Sequence, residues 1–191
     1  MPDDLPVIAF ASKEEFEAWL AEHHESAAGL WVKIAKKHTG LETVTHPEAL
    51  DVALCHGWID GQRQAHDETW FLQRFTPRKA RSRWSKINRD KVAALTKSGA
   101  MKPAGLREVE RAKADGRWDA AYDGQKSATV PDDLQAALDA NPKAREFFET
   151  LTGQNRYSIL YRVQDAKRPE TRARRIEKFV AMLGRGEKLH P

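Results

Sequence analysis

The sequence predicts an α+β fold: a small mixed or antiparallel sheet with flanking helices in the N-terminal part, followed by an all-α C-terminal region. Three observations carry this prediction. Leu30, Val32 and Ile34 alternate as a half-buried strand requires. Two further strand candidates, Trp58–Gln64 and Thr69–Phe75, flank His66-Asp67-Glu68, a plausible hairpin connection. From Trp84 onward the apolar spacing is helical, punctuated by Gly and Pro.

Each element has a local reason. Val7–Phe10 reads as a short strand. Ser12 with Glu15 is a capping-box pattern that opens a helix through about Glu25, with Phe16, Trp19 and Leu20 on one face. Thr45 with Glu48 is a second capping box, and Pro47 lies in its first turn. The helix it opens carries Ala49, Leu50, Val52, Ala53 and Leu54, which leaves little polar surface and predicts burial. Asp60-Gly61 reads either as a turn or as a bulge, and both remain open. Pro77 ends the second hairpin strand. Helices then span Trp84–Lys97, closing at Gly99, and Pro103–Ala114, closing at Gly116. The polar stretch with Gly124, Ser127 and Thr129 reads as a linker. Beyond it lie helices Pro131–Asp139, Pro142–Leu151 with Asn141 as cap, about Gln154–Asp165, and Pro169 to about Leu183. The expected domains are therefore 1–118 (α+β), 119–130 (linker) and 131–191 (helical).

Composition bounds the function. Among 191 residues, 16 aromatics (6 Trp, 7 Phe, 3 Tyr) can anchor a core despite a charged fraction of 31%. No apolar run approaches the ~20 residues that span a bilayer. The start, Met1 to Pro6, is acidic and lacks an apolar signal core, so the expected location is the cytoplasm. One cysteine excludes an internal disulfide framework and a multi-cysteine zinc site. No phosphate-cradling glycine loop or dinucleotide fingerprint occurs, and the histidines form no metal signature, so neither cofactor nor metal is expected.

The net charge of +4 conceals segregation. Residues 1–72 hold 5 Lys/Arg against 13 Asp/Glu, net −8, whereas residues 73–113 hold 13 against 3, net +10. Arg74, Arg78, Lys79, Arg81, Arg83, Lys86, Arg89 and Lys91 are opposed locally by Asp90 alone. Such crowding demands neutralisation by the acidic first third, by a ligand, or by solvent. A strand end, a Pro-set turn and a helix start would gather N–H groups and guanidinium forks there, as an anion prefers. The expected ligand-binding set is Trp58, Asp60, Arg74, Arg78, Lys79, Trp84 and Asn88. Phe75 and Trp84 would either stack on a ring or base, or anchor the core. A second basic stretch, Lys167–Lys178, reads mainly as a solvated or packed helix face.

Asp60 and His56 are the weak catalytic candidates. A desolvated Asp60 would serve as general base, but such a residue more often stabilises a turn or pairs with Arg63 or Arg74. Cys55 and His56 are neighbours on a helix, about 100° apart, which disfavours a thiol–base hydrogen bond. At a helix C-terminus His56 is favoured as a cation by the helix dipole.

Several motifs carry a family resemblance. Glu48-Ala49-Leu50, Ala53–Gly61, Arg74–Lys79, Ser82, Trp84-Ser85, Asn88 and the closing Ala166–Arg172, Arg174–Ile176 and Met182-Leu183 resemble the YdeI/OmpD-associated, or bacteriocin-protection, family. The resemblance runs from about Phe10 to Lys188. It implies a link to antimicrobial-peptide tolerance and to an outer-membrane porin, with no established reaction or catalytic residue. His56 stands where the pattern usually has a large aromatic. The acidic N-terminus does not accord with an envelope location, so the porin association is not expected of this chain. The expected function is a non-catalytic protein of stress or antimicrobial tolerance that binds an anionic small molecule or acidic partner. One alternative is a small-molecule enzyme with a pocket at the hairpin and basic helix, using Asp60 or His56 with Arg74 or Arg78. The other, weak nucleic-acid binding, lacks a supporting motif.

Overall fold

A computed structural model describes residues 5–191; the first part of the acidic start, residues 1–4, lies outside the described residues. In chain order the elements are β1 (Val7–Ala9), α1 (Lys13–His23), β2 (Leu30–Ala35), a 3-10 turn (Lys37–Thr39), α2 (His46–Cys55), β3 (Trp58–Ala65), β4 (Trp70–Pro77), α3 (Lys86–Lys97), α4 (Pro103–Ala114), α5 (Asp132–Asp139), α6 (Pro142–Thr150), α7 (Gly153–Gln164) and α8 (Pro169–Gly184). They fall into two compact units. The first runs to Trp84 and resumes over Asn88–Ala121; the second comprises Ser85–Ile87 and Tyr122–Pro191.

The first unit is built on a four-stranded mixed sheet of order β1-β2-β4-β3, which is the predicted α+β class. β1 pairs parallel to β2, and the other pairs are antiparallel. Leu30, Val32 and Ile34 stand opposite Phe75, Gln73 and Phe71. These positions share one face, and Phe16 and Leu20 of α1 with Ala49, Val52 and Ala53 of α2 complete its core. Both helix starts follow the predicted capping chemistry. Thr45 and Glu48 form a complete capping box. At α1 the Ser12 hydroxyl accepts from the Glu15 N–H, while the Glu15 carboxylate accepts from the Ala11 N–H at 2.8 Å, one residue earlier than a full box.

Helix α2 is buried on two sides. Its Leu50 and Leu54 join a second cluster with Trp84, Val92 of α3, and Val109 and Ala112 of α4. The close approach of α4 to the end of α2 depends on Gly105. A Cβ there would sit 2.3 Å from the Cys55 carbonyl oxygen and 2.7 Å from that of Leu54. Helix α3 starts at Lys86 rather than at Trp84, and the Trp84 indole is 2% exposed within this cluster.

The second unit packs α5–α8 around Leu134, Leu138, Phe148, Ile159, Val163, Ile176, Phe179 and Leu183. The basic face of α8 is used inside this unit. The Arg172 guanidinium forks onto both Asp133 oxygens, which holds the Asp133 carboxyl below the usual range. Arg175 pairs with Asp165 at 3.2 Å. No helix among the described residues is long and apolar enough to cross a membrane.

Gly105→Ala forces backbone against backbone and should lower the stability of the chain by ~1–3 kcal/mol, read as an earlier urea midpoint at unchanged slope. An unchanged midpoint would mean that α4 does not approach α2 this closely.

Candidate functional site

The open choice at Asp60-Gly61 resolves as a bulge. Asp60 faces Phe75 and Arg63 faces Gln73, so three steps along β3 match two along β4. In a regular strand residues three apart point to opposite faces. The extra residue returns Asp60 and Arg63 to the same face, the one that carries Phe71 and Phe75. The Gln73 amide, buried among apolar neighbours, donates to the Gly61 carbonyl at 3.0 Å and the Gln62 carbonyl at 3.2 Å. It thereby satisfies the carbonyls that the interrupted ladder leaves over.

The bond described at Asp60 comes from α2. His46, the first residue of α2, donates from Nε2 to Asp60 Oδ2 at 3.0 Å. A carboxylate only accepts, so in the neutral imidazole this bond places the proton on Nε2 and leaves Nδ1 as an acceptor. Arg63 lays its guanidinium over the Phe71 ring at 3.8 Å. His46 and Arg63 were not among the sequence-predicted site residues. The signal for Arg63 is the Asp60-Gly61-Gln62-Arg63 spacing, which becomes same-face only with the bulge, and His46 has no such signal.

The basic segment divides into several roles. Arg74, Arg78 and Lys79 line one cleft of about 360 Å³ together with Gly61, Gln62 and Thr76. Arg78 is 6% exposed; its guanidinium lies 3.5 Å from the Trp84 ring centroid and donates to the Arg83 carbonyl at 3.1 Å. Arg117 donates to the neighbouring Ser82 carbonyl at 2.7 Å, and the Lys79 N–H donates to the Ser82 hydroxyl. Two guanidiniums thus fasten the turn between β4 and α3. Lys86 pairs with Asp123, Lys91 with Asp51, and Arg89 donates to the Trp118 carbonyl. Asp51 is the acidic first third answering the block, as one of the readings of its charge required.

Other expected residues lie elsewhere. Trp58, Phe75 and Trp84 are core side chains at 2% exposure or less, so none offers a ring for stacking on a base. Trp58 also donates from Nε1 to the His24 carbonyl at 3.1 Å. Asn88 is buried in α3. Asp60 and His56 do not line the cleft of Arg74 and Arg78. His56 lines a different cleft, with Lys102 and Arg107.

His56 departs from the sequence expectation of a dipole-stabilised cation. It caps the C-terminus of α2 and is buried, and its two ring nitrogens make no hydrogen bond. Burial, reinforced by the nearby His24 ring, pushes its pKa down to about 4, so desolvation outweighs the dipole. Cys55 is likewise buried, and its thiol is pushed up to about 11 by desolvation, which makes it a poor nucleophile. Among the described residues no group of three or more His, Cys, Asp or Glu side chains is placed to hold a metal ion.

Comparison with known families divides the chain in two. Residues 8–108 match a domain of unknown function (DUF8412). Residues 127–186 match a domain described as bacteriocin-protection, YdeI or OmpD-associated. The resemblance read from motifs along residues 10–188 is thus met in the helical second unit, while the motifs of the sheet unit fall under a separate description. No curated protein and no solved structure matches the chain.

The buried His56 gives stability an acid limb. The unfolded chain takes up this proton near pH 6.5, the folded chain only near 4. As pH falls through that window the unfolded state gains protons and stability drops, by up to ~1.4 kcal/mol per pH unit; above pH 6.5 the contribution is constant. His24, Glu17 and Lys102 face the same ring and are present in both arms of the comparison. Urea denaturation between pH 4 and 7 should show a shallower acid loss for His56→Phe than for the parent chain. Parallel curves would assign the acid loss to other groups.

Proposed function

Because the chain belongs to the DUF8412 family and carries a YdeI/OmpD-associated, bacteriocin-protection domain, we propose that it serves in stress or antimicrobial tolerance by binding an anionic ligand, without catalysis. The observation that carries this reading is the cleft where β4 hands over to α3. There Arg74, Arg78 and Lys79 converge beside the bulge backbone of Gly61 and Gln62. Arg78 is fixed by its stack on Trp84 and its bond to the Arg83 carbonyl, so the cleft meets a ligand with one cation already positioned. Lys79 is exposed and Arg74 half-buried, and both line the same cleft.

The alternatives are weaker on geometry. Nucleic-acid binding would want exposed aromatic platforms, and the rings of this segment are in the core. Catalysis through Asp60 or His56 on a substrate held by Arg74 or Arg78 would need these groups around one cavity, whereas His56 lines a separate cleft and Asp60 is engaged by His46.

Arg74→Glu combined with Lys79→Glu tests the reading, since neither side chain is buried as Arg78 is. Calorimetry at low salt with citrate, inorganic phosphate and a short single-stranded oligonucleotide should show at least one anion bound by the parent chain. The double reversal should weaken that anion by about tenfold or more at a similar melting temperature. Equal affinity in both chains overturns the proposal. An oligonucleotide preferred over both small anions, with affinity falling steeply with salt, would favour the nucleic-acid alternative.

A further inference from the structure

A second cleft of about 440 Å³ opens on the other side of the bulge, between the start of α2, the loop after β2 and the end of the hairpin. Its chemistry is mixed in an ordered way. Leu41, Pro47 and Phe71 supply apolar wall, and Leu41 stands at 52% exposure although it is a large aliphatic side chain. Arg63 and Lys37 supply positive charge. His46 lines the same cleft with its Nε2 engaged by Asp60.

Each of these groups is held. The Arg63 guanidinium lies over the Phe71 ring, its carbon 3.8 Å from the centroid, which positions the cation at the cleft with N–H groups for a bidentate acceptor. The His46 ring is fixed by the 3.0 Å bond to Asp60 and lies 6.4 Å, centroid to centroid, from Phe75. In the neutral ring that bond makes Nδ1 an acceptor, so the imidazole then meets a ligand with a lone pair. The volume is that of a small-molecule site, apolar in the main with few polar anchors.

We propose that this cleft binds a small carboxylate with an apolar body of aromatic size. Arg63 takes the carboxylate, Leu41, Pro47 and Phe71 cover the body, and His46 Nδ1 accepts a hydrogen bond from a hydroxyl on the ligand. Asp60 is a positioning residue that sets the tautomer of His46. The site does not share a lining residue with the cleft of Arg74 and Lys79, so the two stand or fall separately.

The test is NMR titration of the full isotope-labelled chain with 4-hydroxyphenylacetate. Shifts should concentrate at Leu41, His46, Arg63 and Phe71. The uncharged analogue 4-hydroxyphenylethanol, and acetate, which lacks the body, should each bind about tenfold more weakly or less. Arg63→Gln should lose about tenfold, and Lys79→Glu should change nothing. Asp60→Asn replaces the acceptor-only carboxylate at His46 Nε2 by an amide that also presents an N–H donor, which frees the ring proton to move to Nδ1. It should weaken 4-hydroxyphenylacetate while leaving phenylacetate, which has no hydroxyl, unchanged. The proposal fails if millimolar 4-hydroxyphenylacetate leaves these resonances in place, or if acetate binds as well as it does. It fails equally if Asp60→Asn weakens both aromatic acids alike. The two wild-type comparisons decide the matter even if a variant does not fold.

Discussion

One extra residue in an edge strand governs the described sites of the first unit. β3 carries a residue more than β4 between Asp60 and Arg63, and that excess turns two side chains that would point apart onto one face. The bulge carbonyls are captured by the Gln73 amide, a polar group placed in the middle of an apolar face between Phe71 and Phe75. Burying that amide without partners would cost ~1–3 kcal/mol, so Gln73 and the bulge stabilise each other or neither persists. From this follow the His46–Asp60 bond, the stack of Arg63 on Phe71, and the exposure of Gly61 and Gln62 to the cleft of Arg74. The bulge therefore borders both clefts, one on each side.

The crowded cations of residues 74–91 are managed by geometry as well as by charge pairing. Carboxylates answer Lys86 and Lys91, but Arg78, Arg89 and the later Arg117 direct guanidinium N–H groups at main-chain carbonyls. A guanidinium is weakly hydrated and planar, so it can lie on an indole and still donate at its edge, which a lysine cannot do. Arg78 on Trp84 and Arg89 near Trp118 use this property. The result is a turn held in shape by its own cations, with Lys79 left at the surface. In the second unit the same residue type does a more ordinary job, Arg172 forking onto Asp133.

Much of this was legible in the sequence because it depends on neighbours. Capping chemistry at Ser12 and Thr45, the hairpin around Asp67, the helix stops at Gly99 and Gly116, and the burial of α2 all arise from short-range rules, and the structure has them. What escaped depends on tertiary approach. Gly105 is required only because α4 meets the end of α2, and nothing near it in sequence says so. His56 follows the dipole rule on paper, yet the packing around it removes water and reverses the preferred charge. Trp58, Trp84 and Asn88 belonged to the right segment but serve the core. Gln73 was overlooked because a glutamine in an alternating strand reads as solvent-facing.

The register of β3 against β4 is the claim on which both clefts rest. Cross-strand nuclear Overhauser contacts between backbone protons read it directly, without any substitution. The expected pattern places Asp60 opposite Phe75 and Arg63 opposite Gln73, with the ladder slipping by one residue between them. A continuous pattern with no slip would put Asp60 and Arg63 on opposite faces and contradict the account.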